Sequence, residues 1–163
     1  MRAVDNISET HPMAAAALIS RQSAVKVVSL SPVDYSFTSG SGTYVTYKDR
    51  YFIVTVAHGM NPECGLIKVL GAASNGEYTE CKKVIEINPY VDYSIIEVDK
   101  IKGLTPVNIA TQVPTTVEWV DSVAALSPLV YTGYPNDIGV LTFEGTVAAY
   151  SNEDQIYMHS YAW

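Results

Sequence analysis

The chain has 163 residues, of which 48% are hydrophobic and 17% are charged. A composition this apolar excludes a wholly disordered polypeptide and is sufficient for one ordinary domain or two small lobes. The formal net charge of -7 argues against nucleic acid as the main partner, because phosphate binding requires a basic surface.

The N-terminal region predicts a short helix and no export signal. Residues 12–22 contain four alanines and one leucine, which are strong helix formers. Asp5 and Glu9 lie where an export signal carries basic residues, and the apolar run 13–19 is short. No stretch of the chain is long enough to cross a membrane. We therefore expect no membrane partner and favour a cytoplasmic or virion location.

From Ala24 onward the chain consists of short β-branched and aromatic runs separated by turn residues. Their close, regular spacing is typical of an antiparallel barrel or sandwich. The predicted strands of this first half are residues 24–30, 42–47, 51–56, 66–70, 78–87 and 93–98.

The second half of the chain predicts a smaller amount of sheet. Residues 100–116 are rich in Pro, Thr and Gly and are expected to form a linker. Further strands are predicted at 129–132, 140–150 and 155–159. Because so short a sheet leaves unpaired backbone groups and an uncovered apolar face, we expect additional polypeptide or a partner chain to complete it.

Cys64 and Cys81 are too few to form the disulfide framework of a small secreted domain. They could pair with each other, but a reduced pair is favoured. No cysteine and histidine cluster has the spacing of zinc ligands, so no metal site and no cofactor are expected.

The segment around His58 carries the most specific pattern in the chain. An apolar run from Phe52 leads directly into Thr55-Val-Ala-His58-Gly. This resembles the Thr-Ala-Ala-His motif of trypsin-like (chymotrypsin-fold) serine proteases, with Val56 in place of the first alanine. A general base must be held rigidly at a strand end, and the small Ala57 permits a tight turn beside it. The alternative is a histidine that only satisfies a turn.

A second segment resembles the region around the acidic residue of the same family. Asp92-Tyr-Ser-Ile-Ile follows the family pattern Asp-x-Ala-Leu-Leu, with Ser94 in the small position. The resemblance implies that Asp92 accepts a hydrogen bond from one imidazole nitrogen of His58 and fixes its tautomer. Alone, Asp92 could equally be a capping residue of the turn that follows Asn88 and Pro89.

Two weaker motifs support the resemblance. Ser39-Gly-Ser-Gly-Thr-Tyr-Val45 is similar to the Gly-Ser-Gly-x-x-Val strand that precedes the family's histidine hairpin. Gly133-Tyr-Pro135, followed by Gly145-Thr-Val147, is similar to a turn and strand of the second barrel. Each is also an ordinary glycine or proline turn signal.

The family's nucleophile motif, Gly-x-Ser-Gly, does not occur after Asp92. Ser160, next to His159, is the least unsuitable serine, but Tyr161 follows where a small residue is expected. The resemblance therefore predicts that the nucleophile lies in a continuation of the chain and that these 163 residues alone are inactive.

Together these features predict an all-β protein with a chymotrypsin-like double barrel, its second barrel incomplete, and a short N-terminal helix. The expected organisation is a leader over 1–23, a first barrel over 24–103, and a linker with a partial second barrel over 104–163. The implied function is a serine endopeptidase domain acting on polypeptide substrates. The alternative is an inactive protease-fold protein used for binding or assembly, for example a viral structural component.

Overall fold

A computed structural model of the chain describes residues 11–71, 76–109, 126–135, 138–150 and 156–160. These residues form one α-helix, α1 (Ala14–Ser23), and ten strands. The strands are β1 (Ala24–Leu30), β2 (Phe37–Tyr47), β3 (Arg50–Thr55), β4 (Ile67–Gly71), β5 (Thr79–Asn88), β6 (Tyr93–Val98), β7 (Val107–Asn108), β8 (Pro128–Gly133), β9 (Leu141–Tyr150) and β10 (Ile156–Ser160). The predicted all-β fold with a short helix near the N-terminus is confirmed.

The first six strands form a closed antiparallel barrel. Their order is β1-β4-β5-β6-β3-β2, and β2 pairs again with β1 to close the sheet. Closure removes the free sheet edges that an open sheet of this size would present to solvent. The strands therefore support the loops at the barrel ends on a rigid frame.

The barrel interior is filled by alternating side chains of these strands. In β6, for example, Ser94, Ile96 and Val98 point inward and are buried, while the residues between them are half-buried. This period of two is what a sheet with one face toward a core requires. The buried cluster consists of Val25, Val27, Tyr44, Ile53, Ile67, Val69, Ile96, Val98, Ile101 and Leu104.

The hairpin between β2 and β3 closes on a two-residue turn. Lys48 and Asp49 have φ values of 47° and 59°, and Tyr47 lies opposite Arg50. Two central residues with positive φ define the turn type whose twist matches that of the flanking strands. The predicted strands 42–47 and 51–56 are thus joined as a hairpin.

Strand β2 begins earlier than the sequence predicts, at Phe37 instead of Gly42. Residues 39–42, which also have the composition of a flexible turn, are extended and pair with β1. A Cβ atom on Gly42 would lie 2.9 Å from the Ile53 side chain and 3.0 Å from that of Val27. Glycine at this position therefore lets the two walls of the barrel approach each other closely.

The predicted linker contains a short strand that the sequence did not indicate. Strand β7 pairs in parallel with β2, with Val107 opposite Val45. Its two residues are too few to show a periodic pattern. Residues 110–116 of the predicted linker lie outside the described residues, as do the first ten residues of the predicted leader.

The chain divides into two compact units. One comprises Arg21–Ile109 and Gly133–Leu141 and contains the barrel. The other, among the described residues, comprises 11–20, 126–132, 142–150 and 156–160. Its three-stranded sheet has the order β10-β9-β8, in agreement with the strands predicted for the second half. No helix within the described ranges is long and apolar enough to cross a membrane.

Cys64 and Cys81 are joined by a disulfide, with their Cα atoms 5.1 Å apart. The preference for a reduced pair was therefore wrong. Cys64 begins a short 3-10 turn before β4, and Cys81 lies in β5. Because β4 and β5 pair in antiparallel register next to this turn, the two sulfur atoms meet. Two cysteines in a sequence carry no signal of that register.

Replacing both cysteines by alanine is expected to lower the free energy of unfolding by about 3 kcal/mol. The disulfide closes a short loop and so restricts the conformations of the unfolded chain, and the substitutions remove this restriction. Urea denaturation of the two forms would measure the difference. A reducing agent should produce the same loss in the native sequence and none in the Cys64→Ala/Cys81→Ala variant. Equal stability of both forms without reductant would contradict the prediction.

Candidate active site

His58 lies in the loop that leaves β3, here called the His58 loop (residues 56–63). Ala57 is buried, and Gly59 has a φ of 76°, which a side chain would strain. The Thr38 hydroxyl donates a hydrogen bond of 2.8 Å to the Gly59 carbonyl. The turn that presents the imidazole is therefore tied to strand β2 directly after the histidine.

Asp92 ends the turn between β5 and β6 and has a positive φ of 62°. Asn88 stabilises this turn, because its side-chain oxygen accepts hydrogen bonds of 3.1 Å from the backbone N–H groups of Tyr90 and Val91. Left-handed backbone at a residue other than glycine is uncommon and concentrates at functional sites, where surrounding contacts hold it in place.

The two loops meet through the Asp92 carboxylate. Its Oδ2 lies 2.7 Å from His58 Nδ1, the distance of a short hydrogen bond. Its Oδ1 accepts hydrogen bonds from the backbone N–H groups of Ala57, at 2.9 Å, and His58, at 2.8 Å. The carboxylate is thus held in one orientation, and His58 is held through both its backbone N–H and its ring.

These hydrogen bonds lower the pKa of Asp92 below its ordinary value of 3.8. The backbone N–H of His58 is the largest cause, and the His58 ring adds to it. Hydrogen bonds to a carboxylate favour its charged form, so Asp92 is ionised at neutral pH. The side chains of His58 and Asp92 are 76% and 46% exposed, so the pair lies at the surface of the barrel end.

The His58 ring has a second nitrogen, Nε2, that makes no hydrogen bond to any residue the structure describes. The ring borders a cleft of about 220 Å³ whose walls include Thr38, Gly40 and Met60. A free imidazole nitrogen beside an open cleft, with its other nitrogen bound to a carboxylate, is suited to accept a proton from a bound group. Across the described ranges no group of three His, Cys, Asp or Glu side chains is arranged to hold a metal ion.

Two further features of the sequence, Ser160 and the Gly133-Tyr-Pro135 turn, make hydrogen bonds to residues other than His58 and Asp92. The Ser160 hydroxyl donates to the Glu144 carbonyl at 2.9 Å and lies 3.1 Å from the Tyr131 hydroxyl. These contacts link Ser160, on β10, to Glu144 on β9 and to Tyr131 on β8. The backbone N–H of Tyr134, in the Gly-Tyr-Pro turn, donates to the Ser41 hydroxyl at 2.7 Å.

Three residues that hold the two loops were missed at the sequence level: Thr38, Asn88 and Asn61, whose side-chain N–H donates to the Leu30 carbonyl at 3.1 Å. Thr38 and Asn61 are separated along the chain from the groups they bind, so no local pattern indicates their contacts. Asn88 precedes Pro89 and was recognised only as a turn residue.

Asp92→Asn is expected to weaken the dependence of the free energy of unfolding on pH in the acidic range. Because the pKa of Asp92 is lower in the folded state than in the unfolded state, its carboxylate stabilises the folded state at pH values above the unfolded-state pKa. This stabilisation is lost as the pH falls through the folded-state pKa. The native chain should therefore lose more stability than the variant below pH about 4. Urea denaturation over the acidic range would measure both profiles, with Asp49→Asn as the matched exposed substitution. Parallel profiles for the native chain and Asp92→Asn would contradict the prediction.

Comparison with known proteins finds similarity in structure and none in sequence. No protein-family model matches the chain, and no curated protein matches it. A serine endoprotease from Yersinia pestis aligns with a TM-score of 0.62 and 19% identity, over 86% of this chain and 46% of that one. A protease from M. tuberculosis in its active form aligns with a TM-score of 0.59 and 17% identity, over 92% of this chain and 63% of that one.

The chain therefore spans about half to somewhat under two thirds of the length of these proteases. Their identity to it is low, so the likeness concerns the fold. With the closed barrel, the second sheet and these neighbours, the chain has the fold of the chymotrypsin-like (trypsin-like) serine proteases.

Proposed function

We propose that this chain is the part of a serine endopeptidase that supplies the general base and its orienting acid. The observation that carries the proposal is the contact of 2.7 Å between His58 Nδ1 and Asp92 Oδ2, on the fold of serine proteases. The reaction would be hydrolysis of a peptide bond in a polypeptide substrate. No cofactor takes part in this chemistry.

In the proposed mechanism Asp92 determines which imidazole nitrogen carries the proton. Its ionised carboxylate accepts a hydrogen bond from Nδ1–H, so the lone pair that can accept a proton is on Nε2. Nε2 then takes the proton of a serine hydroxyl as that oxygen attacks the peptide carbonyl, and later returns it to the leaving amine. The Asp92 charge stabilises the imidazolium formed between these steps.

The attacking serine is proposed to come from additional polypeptide. The sequence after Asp92 contains no Gly-x-Ser-Gly, and the Ser160 hydroxyl is bonded to Glu144 and Tyr131. The structurally similar proteases are longer than this chain. On this proposal the 163-residue chain positions a proton acceptor but has no attacking atom and does not hydrolyse peptides by itself.

The same missing motif favours one alternative of a different class. A protease fold without a nucleophile would serve for binding or assembly, since loss of the attacking residue ends catalysis but leaves the fold intact. The two functions differ in the amino acids encoded after Trp163. A Gly-x-Ser-Gly there supports the hydrolase, and its absence supports the binding protein.

The tautomer of His58 gives a test on the chain as it is. In alkaline solution its ring proton should be on Nδ1 in the native protein and shift to Nε2 in Asp92→Asn, because the asparagine amide donates where the carboxylate accepted. Ring ¹⁵N chemical shifts measure this, with His159 as the internal control. An unchanged His58 tautomer in the variant would refute the orienting role of Asp92.

Hydrolase chemistry itself is tested on the protein extended past Trp163. A fluorophosphonate probe should label it at a serine, and His58→Ala should reduce the labelling rate at least about 1,000-fold, because the serine then has no general base. His159→Ala is the matched control and should label at the native rate. Labelling of His58→Ala at the native rate would refute the assignment of the base.

A further inference from the structure

A second, larger groove continues outward from the cleft beside His58. It lies between the β1–β2 loop (residues 31–36) and the His58 loop and has a volume of about 600 Å³. The groove and the cleft share wall residues, among them Thr38, Gly59 and Met60. A chain bound with its reacting bond at His58 can therefore extend into this space, here called the outer groove.

The outer groove is apolar along much of its length. Its lining includes Leu30, Pro32, Val33, Met60 and Pro62. Val33 is 88% exposed, so its apolar side chain is accessible to a ligand. Exposed apolar surface that lines a concavity marks a binding site more often than scattered apolar residues do.

The charge of the outer groove has one sign. Glu63 is the only acidic residue among those that line the groove, and no described residue forms an ion pair or hydrogen bond with its carboxylate. The lining contains no lysine or arginine. Asp34 is not part of the lining, but it accepts a hydrogen bond of 2.7 Å from the hydroxyl of the lining residue Ser36. Hydrogen bonds from Ser36 and Ser31 lower the pKa of Asp34 to about 2, so this second carboxylate is also ionised.

The walls of the outer groove are tied to each other before any ligand binds. Asn61 donates its side-chain N–H to the Leu30 carbonyl at 3.1 Å, and its backbone N–H to the Ser29 hydroxyl at 2.8 Å. The backbone N–H of Glu63 donates to the Asn61 side chain at 2.8 Å. A preformed site loses little entropy on binding, and Glu63 is held at one wall of it.

We propose that the outer groove binds the substrate segment next to the bond to be cleaved and selects a lysine or arginine flanked by apolar residues. Glu63 forms the ion pair with the basic side chain, and the apolar walls bury its neighbours. The inference rests on the proposed function, since it assigns a polypeptide to the site that His58 borders.

Binding can be measured on the present chain without any catalysis. The probes are two blocked peptides, acetyl-Ala-Leu-Arg-Val-Ala-amide and the same peptide with glutamate in place of arginine. Titrated into the ¹⁵N-labelled 163-residue chain, the arginine peptide should shift the amide signals of the non-proline residues within 29–33 and 59–63. The glutamate peptide should bind at least about fivefold more weakly, because its charge is repelled.

Glu63→Gln should weaken the arginine peptide about two- to fivefold, the range of an exposed ion pair. Glu77→Gln removes the same charge at an exposed position outside the groove and should leave affinity unchanged. Glu63→Lys should reverse the preference between the two peptides. Equal affinities of the two peptides, shifts confined to other surfaces, or a Glu63→Gln chain that binds like the native one would each overturn the inference.

The outcome is separable from that of the hydrolase test. Selective binding in the outer groove, together with no serine labelling of the extended protein, would refute hydrolysis only. Serine labelling that depends on His58, together with no selection by Glu63, would refute the substrate preference only.

Discussion

The Asp92 carboxylate is the interaction on which the arrangement of this site depends. It accepts three hydrogen bonds from the His58 loop, at 2.7, 2.8 and 2.9 Å, while its own backbone is in a left-handed conformation. Such a conformation costs on the order of 1–3 kcal/mol and persists only where its surroundings hold it. The register of β3 and β6, with Thr55 opposite Ser94, brings the two loops to the same end of the barrel.

The closed barrel holds the register of β3 and β6 in place. Strand β3 lies between β2 and β6, so its end cannot shift without disturbing both neighbours. Thr38 on β2 holds the His58 loop on one side, and Asn88 holds the turn before Asp92 on the other. Preorganised positions of this kind are what the proposed proton transfer requires, because the geometry is set before a substrate arrives.

Charge divides the barrel end into two kinds of surface. The charge of Asp92 is stabilised by the N–H groups that donate to it, whereas the Glu63 carboxylate has no cationic partner in the described part of the chain. Arg50 and Lys68, by contrast, are each paired with a glutamate on a neighbouring strand, Glu97 and Glu80. An unpaired carboxylate beside an apolar groove attracts a basic ligand more strongly than a paired one does, and this difference underlies the proposed preference.

The sequence by itself determined the fold class, the strands near their observed bounds, and His58 and Asp92 as candidates, because each is written in a local pattern: a period of two, a turn composition, or a motif beside a strand. Only the tertiary structure decided the disulfide between Cys64 and Cys81, the early start of β2, and the contacts of Thr38 and Asn61. These depend on strand register and loop packing. Such contacts join residues distant in the chain, and no local pattern records which distant groups will meet.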